Sequence, residues 1–115
     1  MTNEEKIEQS ISNLEEKTKE NKLRWARRKD ERGDVFYSSS FGGFSGMQFF
    51  PQDEGKAILS VHIPEGSEKI RATDSARIAT KLERLRAEVE RQVKQNREEE
   101  TSRFFDAFLR LTDRN

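Results

Sequence analysis

The chain has no cysteine. A disulfide framework, a thiolate zinc site and a thiol nucleophile are therefore excluded. Histidine occurs once, at His62, so no histidine cluster exists to bind a transition metal or to build a proton relay. Proline occurs twice and glycine six times, all between residues 33 and 66. No apolar stretch approaches the roughly 20 residues needed to cross a bilayer. The polar start, Met-Thr-Asn-Glu-Glu-Lys, lacks the apolar run of a secretion signal, and a soluble cytoplasmic protein is expected. Excess charge of one sign is also missing. Lys plus Arg number 22, as do Asp plus Glu, so there is no bulk attraction to nucleic acid or anionic lipid, and such binding would need a local patch.

What the chain does have is charge, in separate blocks. Charged residues make up 38% of its 115 residues, hydrophobic residues only 31%, and the mean hydropathy is -1.04. Residues 1–33 carry a net +1, residues 34–66 a net -3 and residues 67–115 a net +2. The charge-poor middle holds all the glycine and proline, which helices tolerate poorly and turns require. Seven of the ten aromatics fall between Trp25 and Phe50. One α+β domain follows: a helix over 1–33, a β-meander over 34–66 and helical structure over 67–115. So small an apolar content predicts a thin core, completed by a partner or a second copy.

The N-terminal helix is expected over residues 3–29, capped by Thr2 or Asn3, with Glu4 and Glu5 at the positive end of its dipole. Ile7, Ile11, Leu14 and Trp25 supply its apolar stripe, with Thr18 and Asn21 in the intervening places. Three antiparallel strands are expected over 34–38, 46–50 and 56–63. In the last, Ala57, Leu59, Val61 and Ile63 alternate with Ile58, Ser60 and His62, which puts the first set on the core. The C-terminal helix begins near Thr73 or Asp74, and Ile78, Leu82, Leu85, Val89 and Val93 form the clearest periodicity in the chain. Phe104, Phe108 and Leu111 resume that stripe. One helix of about 40 residues would be roughly 60 Å long, more than a compact domain of this size accommodates. A break between 96 and 102 is therefore expected, with Thr101 or Ser102 capping a short terminal helix.

No catalytic constellation is visible. The segment from Ser38 to Gly46 is glycine-rich but lacks the phosphate-binding signatures G-x-x-x-x-G-K-[ST] and G-x-G-x-x-G. It reads as a hairpin connection whose Phe41 and Phe44 either fold onto the sheet or present themselves to a partner. Lys22, Arg24, Arg27, Arg28 and Lys29 surround Trp25 in a segment, residues 22–32, of net +4. Such a patch suits phosphates and a stacked base, but it equally suits a solvated helix end with the Trp in the core. Asp34, Glu54 and Lys56 match a metal-dependent nuclease pattern only as ordinary turn composition does. His62 and Ser60 share a strand face without a carboxylate to orient them.

Arg24-Trp25 followed by a Tyr37-Ser38-Ser39 strand, short strands, and a Leu82-x-x-Leu85 helix containing Arg91-Gln92-Val93 resembles small uncharacterised bacterial and phage-associated proteins with a Trp, a short meander and an amphipathic helix. The resemblance spans about residues 24–93. It implies a fold and brings no catalytic residues with it.

The expected function is non-enzymatic, with no cofactor, metal or membrane: a protein–protein interaction module, such as a regulator, inhibitor or immunity-type protein, or a homodimer. The candidate contact residues are Phe41, Phe44, Phe104, Phe105, Phe108, Leu109 and Leu111. Nucleic-acid binding through Lys22, Arg24, Trp25, Arg27, Arg28 and Lys29 is the alternative, and a metal-dependent nuclease using Asp34, Glu54 and Lys56 is the second.

Overall fold

A computed structural model describes residues 1–42, 45–53 and 56–114, with Phe41 and Asp53 described by backbone alone. The elements are α1 (Asn3–Lys19), β1 (Ala26–Lys29), β2 (Val35–Gly42), β3 (Ser45–Asp53), β4 (Lys56–Ile63), β5 (Gly66–Arg71) and α2 (Ala76–Thr112). The strands form one antiparallel meander in the order β1-β2-β3-β4-β5. The α+β class, the N-terminal helix and the long C-terminal helix agree with the sequence reading. The strand count and the helix ends do not.

The first helix ends at Lys19, ten residues before the expected end. Asn21 adopts a left-handed conformation with φ 57°. The Lys22 amide donates to the Lys17 carbonyl at 3.0 Å and the Asn21 amide to the Thr18 carbonyl at 3.1 Å. This is a Schellman stop, and asparagine is the residue after glycine that best tolerates its left-handed position. The chain then extends, so Leu23 and Trp25 point inward as alternate residues of an extended segment rather than as members of a helical stripe. Residues 26–29 become β1, pairing Arg27 with Tyr37 and Lys29 with Val35. The second unexpected strand, β5, pairs with β4 from Ile63↔Gly66 to Ile58↔Arg71. Both extra strands lie on the sheet edges, where charge and low hydrophobicity are usual.

The expected break in the C-terminal helix is absent, as is the separate terminal helix. Ser75, not Thr73 or Asp74, is the N-cap, its hydroxyl accepting from the Ile78 amide at 3.1 Å. From there α2 runs 37 residues without interruption. Residues 94–103 contain neither glycine nor proline, and Gln, Arg and Glu are good helix formers. The Gln95 amide also donates to Glu99 one turn on, at 3.4 Å. The expectation failed because the molecule is elongated: its extents are 65 × 29 × 26 Å and its radius of gyration is 17.1 Å, against about 13 Å for a compact chain of this length.

The helices lie side by side and run parallel. Glu4 accepts from the Ser75 hydroxyl at 3.1 Å, Glu8 pairs with Arg77 at 2.9 Å and Glu15 pairs with Arg84 at 3.6 Å. The core between them and the sheet comprises Ile11, Leu23, Trp25, Tyr37, Met47, Phe49, Leu59, Ile78, Leu82, Leu85 and Val89. Ala57, Leu59 and Val61 of β4 pack there as expected, whereas Ile63, at the strand end, is exposed.

A polar knot closes this core. Gln92 is only 1% exposed. Its amide nitrogen donates to the carbonyls of Leu23 at 2.6 Å and Thr18 at 3.1 Å, and its oxygen accepts from the Trp25 amide at 2.9 Å. The Trp25 indole nitrogen donates to the Thr18 hydroxyl at 2.9 Å, which donates in turn to the Leu14 carbonyl at 2.7 Å. Thr18 thus occupies the apolar stripe of α1 as a satisfied buried hydroxyl, as low-dielectric burial demands. Because α1 ends one residue after Thr18, α2 loses its helical neighbour at the level of Gln92.

Candidate functional site

Beyond Val93 the rest of α2 is an arm. Over residues 94–112 only Asn96 and Ala107 are even half-buried. Phe104, Phe105, Phe108, Leu109 and Leu111 are 50–63% exposed. The three rings pack on one another: Phe104 lies edge-on to Phe105 at 5.2 Å and stacks on Phe108 at 6.4 Å, and Phe105 is edge-on to Phe108 at 6.4 Å. At 100° per residue these side chains cover an arc of roughly 160°, centred about 130° away from the stripe that Ile78, Leu82, Leu85 and Val89 bury. The arm is therefore apolar in its own direction and does not simply extend the core stripe. All five C-terminal contact candidates come together on it. Phe44 lies outside the described residues, as does the side chain of Phe41; β2 continues to Gly42 and β3 resumes at Ser45.

The basic segment lies in the loop and β1, not on a helix. Trp25 is 5% exposed, its ring meets Phe49 edge-on at 6.5 Å, and its one polar atom is bonded to Thr18. It has no face free for a base. Lys22 pairs with Glu20 at 2.8 Å; that hydrogen bond and charge hold the Glu20 carboxyl below its ordinary range and raise the Lys22 ammonium above its own. The β1 pleat divides the remaining cations. Arg27 lies on the helix side, beside Tyr37, Arg86 and Glu90. Burial pushes the Tyr37 hydroxyl up, and the Glu90 carboxylate adds to the shift. Arg24 and Arg28 turn to the opposite side of the sheet, where they line a depression of about 770 Å³.

Of the nuclease pattern, Asp34 and Lys56 are exposed, and Glu54 lies outside the described residues. Among the described residues no group of three or more His, Asp or Glu side chains is placed to hold a metal ion. The His62 ring does find a partner, the Ser67 hydroxyl across the β4–β5 ladder. No helix among the described residues is long and apolar enough to cross a membrane.

Sequence reasoning missed the face of the sheet that the helices leave bare. The pairing register arranges it in rows across the strands. One row runs Arg28, Phe36, Phe50, Ile58, Arg71: Arg28 pairs with Phe36, Phe36 stacks on Phe50 with ring centres 5.2 Å apart, Phe50 pairs with Ile58 and Ile58 with Arg71. The next row is Ala26, Ser38, Gln48, Ser60, Lys69, and a third holds Ser40, Gly46, His62 and Ser67. The signal was present as a broken alternation. Polar residues belong on the solvated face of an antiparallel sheet, yet Phe36, Phe50 and Ile58 occupy it.

Comparison with protein-family models, with curated proteins and with solved structures finds no match to this chain.

Proposed function

We propose that this chain is a small non-enzymatic interaction module that works by protein contact, with the arm of α2 as its contact surface and a second copy of the chain as its partner. The observation that supports this reading is the set of five large apolar side chains left in water on a helix that has already passed its own core. Each arm exposes on the order of 500 Å² of Phe and Leu side chain. Two arms together supply roughly 1,000 Å², the lower bound for a specific interface.

Charge favours antiparallel pairing. In-register parallel arms would set Glu98, Glu99 and Glu100 against the same three carboxylates. Antiparallel arms crossing at Phe105 set Glu100 opposite Arg110, Glu98 and Glu99 opposite the uncharged Thr112 and Leu111, and Arg97 opposite Asp113. Sedimentation equilibrium of the full chain tests the reading. A dimer is expected, and Phe105→Asp with Leu109→Asp is expected to give monomers that unfold at the same denaturant concentration as the monomeric wild type, because neither residue touches the core. A wild-type chain that stays monomeric at 100 μM, or a double variant that still dimerises, refutes it.

A further inference from the structure

We infer that the bare face of the sheet is a binding site for single-stranded nucleic acid. The chain as a whole is neutral, but this face is not. Among the described residues, Arg24, Arg28, Arg32 and Lys69 line its two adjoining depressions, against the one carboxylate of Asp30, and Arg71 ends the aromatic row. Asp30 is itself engaged by the backbone amides of Arg32 at 2.8 Å and Asp34 at 2.9 Å.

Several arginines of α2 are tied up by carboxylates, whereas the cations of this face are not. Arg77, Arg84, Arg86 and Arg91 are held by carboxylates of α1 and α2. Among the described residues Arg24, Arg28, Lys69 and Arg71 make no ion pair. They flank two stacked phenylalanines and an isoleucine that are half-buried on the face the helices leave open.

This combination fits a polyanion with flat apolar groups. Aromatic side chains on a solvated antiparallel sheet give bases a stacking surface, and flanking cations take the phosphates. The neighbouring row of Ser38, Gln48 and Ser60 offers hydroxyl and amide groups to base edges, with Lys69 at its end. A duplex hides the flat faces of its bases, so it cannot use the phenylalanine row. An acidic peptide would satisfy the cations but leave Phe36, Phe50 and Ile58 unused.

Fluorescence anisotropy of a labelled 12-nucleotide oligo-dT and the matching oligo-U tests the site on the full chain, the two arms distinguishing DNA from RNA. Intrinsic fluorescence would be blind to it, since Trp25 and Tyr37 are on the other side of the sheet. Saturable binding is expected in 50 mM salt. With four phosphates neutralised it weakens roughly 50-fold by 200 mM salt, from a slope of about -0.7 per phosphate for single strands. Arg28→Glu with Lys69→Glu and Arg71→Glu is expected to abolish binding. Phe36→Leu with Phe50→Leu keeps the apolar bulk and is expected to weaken binding about five-fold or more, the low end of what one lost base stack costs. Near-ultraviolet dichroism of the buried Trp25 checks that both variants keep the fold.

No saturation with either oligonucleotide up to 100 μM overturns the inference, as does wild-type affinity in the charge-reversed variant. Equal affinity in the leucine variant, equal affinity for a duplex, or equally tight binding of oligo-glutamate would each show that the phenylalanine row does not read bases, and would overturn it too.

Discussion

Replacing Gln92 by leucine keeps nearly the same volume but removes three hydrogen bonds from the closed end of the core. The cost follows from what each partner has left. The Thr18 carbonyl retains the Asn21 amide at 3.1 Å, so it stays satisfied. The Trp25 amide and the Leu23 carbonyl have no other partner among the described residues and are orphaned in a site where Leu23 and Trp25 are 5–6% exposed. At about 1–3 kcal/mol for each unsatisfied buried group, the loss comes to about 4 kcal/mol, a large part of the roughly 6–17 kcal/mol that a chain of this length has available. Urea unfolding followed by the fluorescence of Trp25, the only tryptophan, measures it directly. With an m-value of about 2 kcal/mol per molar, the midpoint is expected to fall by about 2 M. Gln95→Leu, less than one turn further along on an exposed position, is the control and is expected to change stability by less than about 0.5 kcal/mol. A Gln92→Leu variant that loses less than about 1 kcal/mol would refute the claim that this side chain ties the α1 terminus, the segment leading into β1 and α2 together.

Two more tests address the same end of the fold and its neighbouring strand. Tyr37 is the only tyrosine, so tyrosinate absorbance follows it alone; its midpoint is expected above the ordinary value of 10.0 in the folded chain and at the ordinary value in urea. Its neutral form is favoured by folding, so this contribution to stability is complete below pH 10 and is lost as pH rises through the folded-state midpoint; identical midpoints in both states would contradict it. At Asn21, with φ 57°, Asn21→Gly is expected to be neutral or slightly stabilising, and Asn21→Val to cost about 1–2 kcal/mol, the penalty of a left-handed β-branched residue. Equal thermal midpoints for these two variants would show that the Schellman stop does not set the end of α1.

The sequence was readable wherever one face of an element repeats with a clear period. The alternation of Ala57, Leu59 and Val61 located β4 to the residue, and the spacing of Ile78, Leu82, Leu85 and Val89 located the buried face of α2. It misled where a few residues fit two periods. Trp25 lies eleven residues after Leu14, which suits a helix, and two after Leu23, which suits a strand; Asn21, a good left-handed terminator, decided between them. The edge strands β1 and β5 carry little apolar signal because they contribute few side chains to the core, with Ile70 the one half-buried aliphatic of β5. The break proposed in α2 came from assuming a compact shape, not from any local stop signal. The basic segment was visible as a patch, but only the strand pleat shows that Arg27 and Arg28 point to opposite sides of the sheet.

The two proposed surfaces are spatially independent, and that independence makes their combination testable. The sheet site faces away from both helices, and the arm starts where α1 stops, so arm pairing covers none of the Arg28–Arg71 row. Pairing instead places two sheet sites in one particle. A strand long enough to reach both then binds the second site intramolecularly, and the gain over a 12-nucleotide strand is expected to be on the order of 100-fold or more. Phe105→Asp with Leu109→Asp is expected to abolish that gain while leaving the affinity for the short strand unchanged. Reversal of charge at Arg28, Lys69 and Arg71 is expected to remove both affinities while the chain remains dimeric. If the arm variant instead weakens the short strand, the arm itself belongs to the nucleic-acid site. If a strand of about 60 nucleotides gains nothing over the short one on a chain shown to be dimeric, the two sites are not held where one strand can reach both.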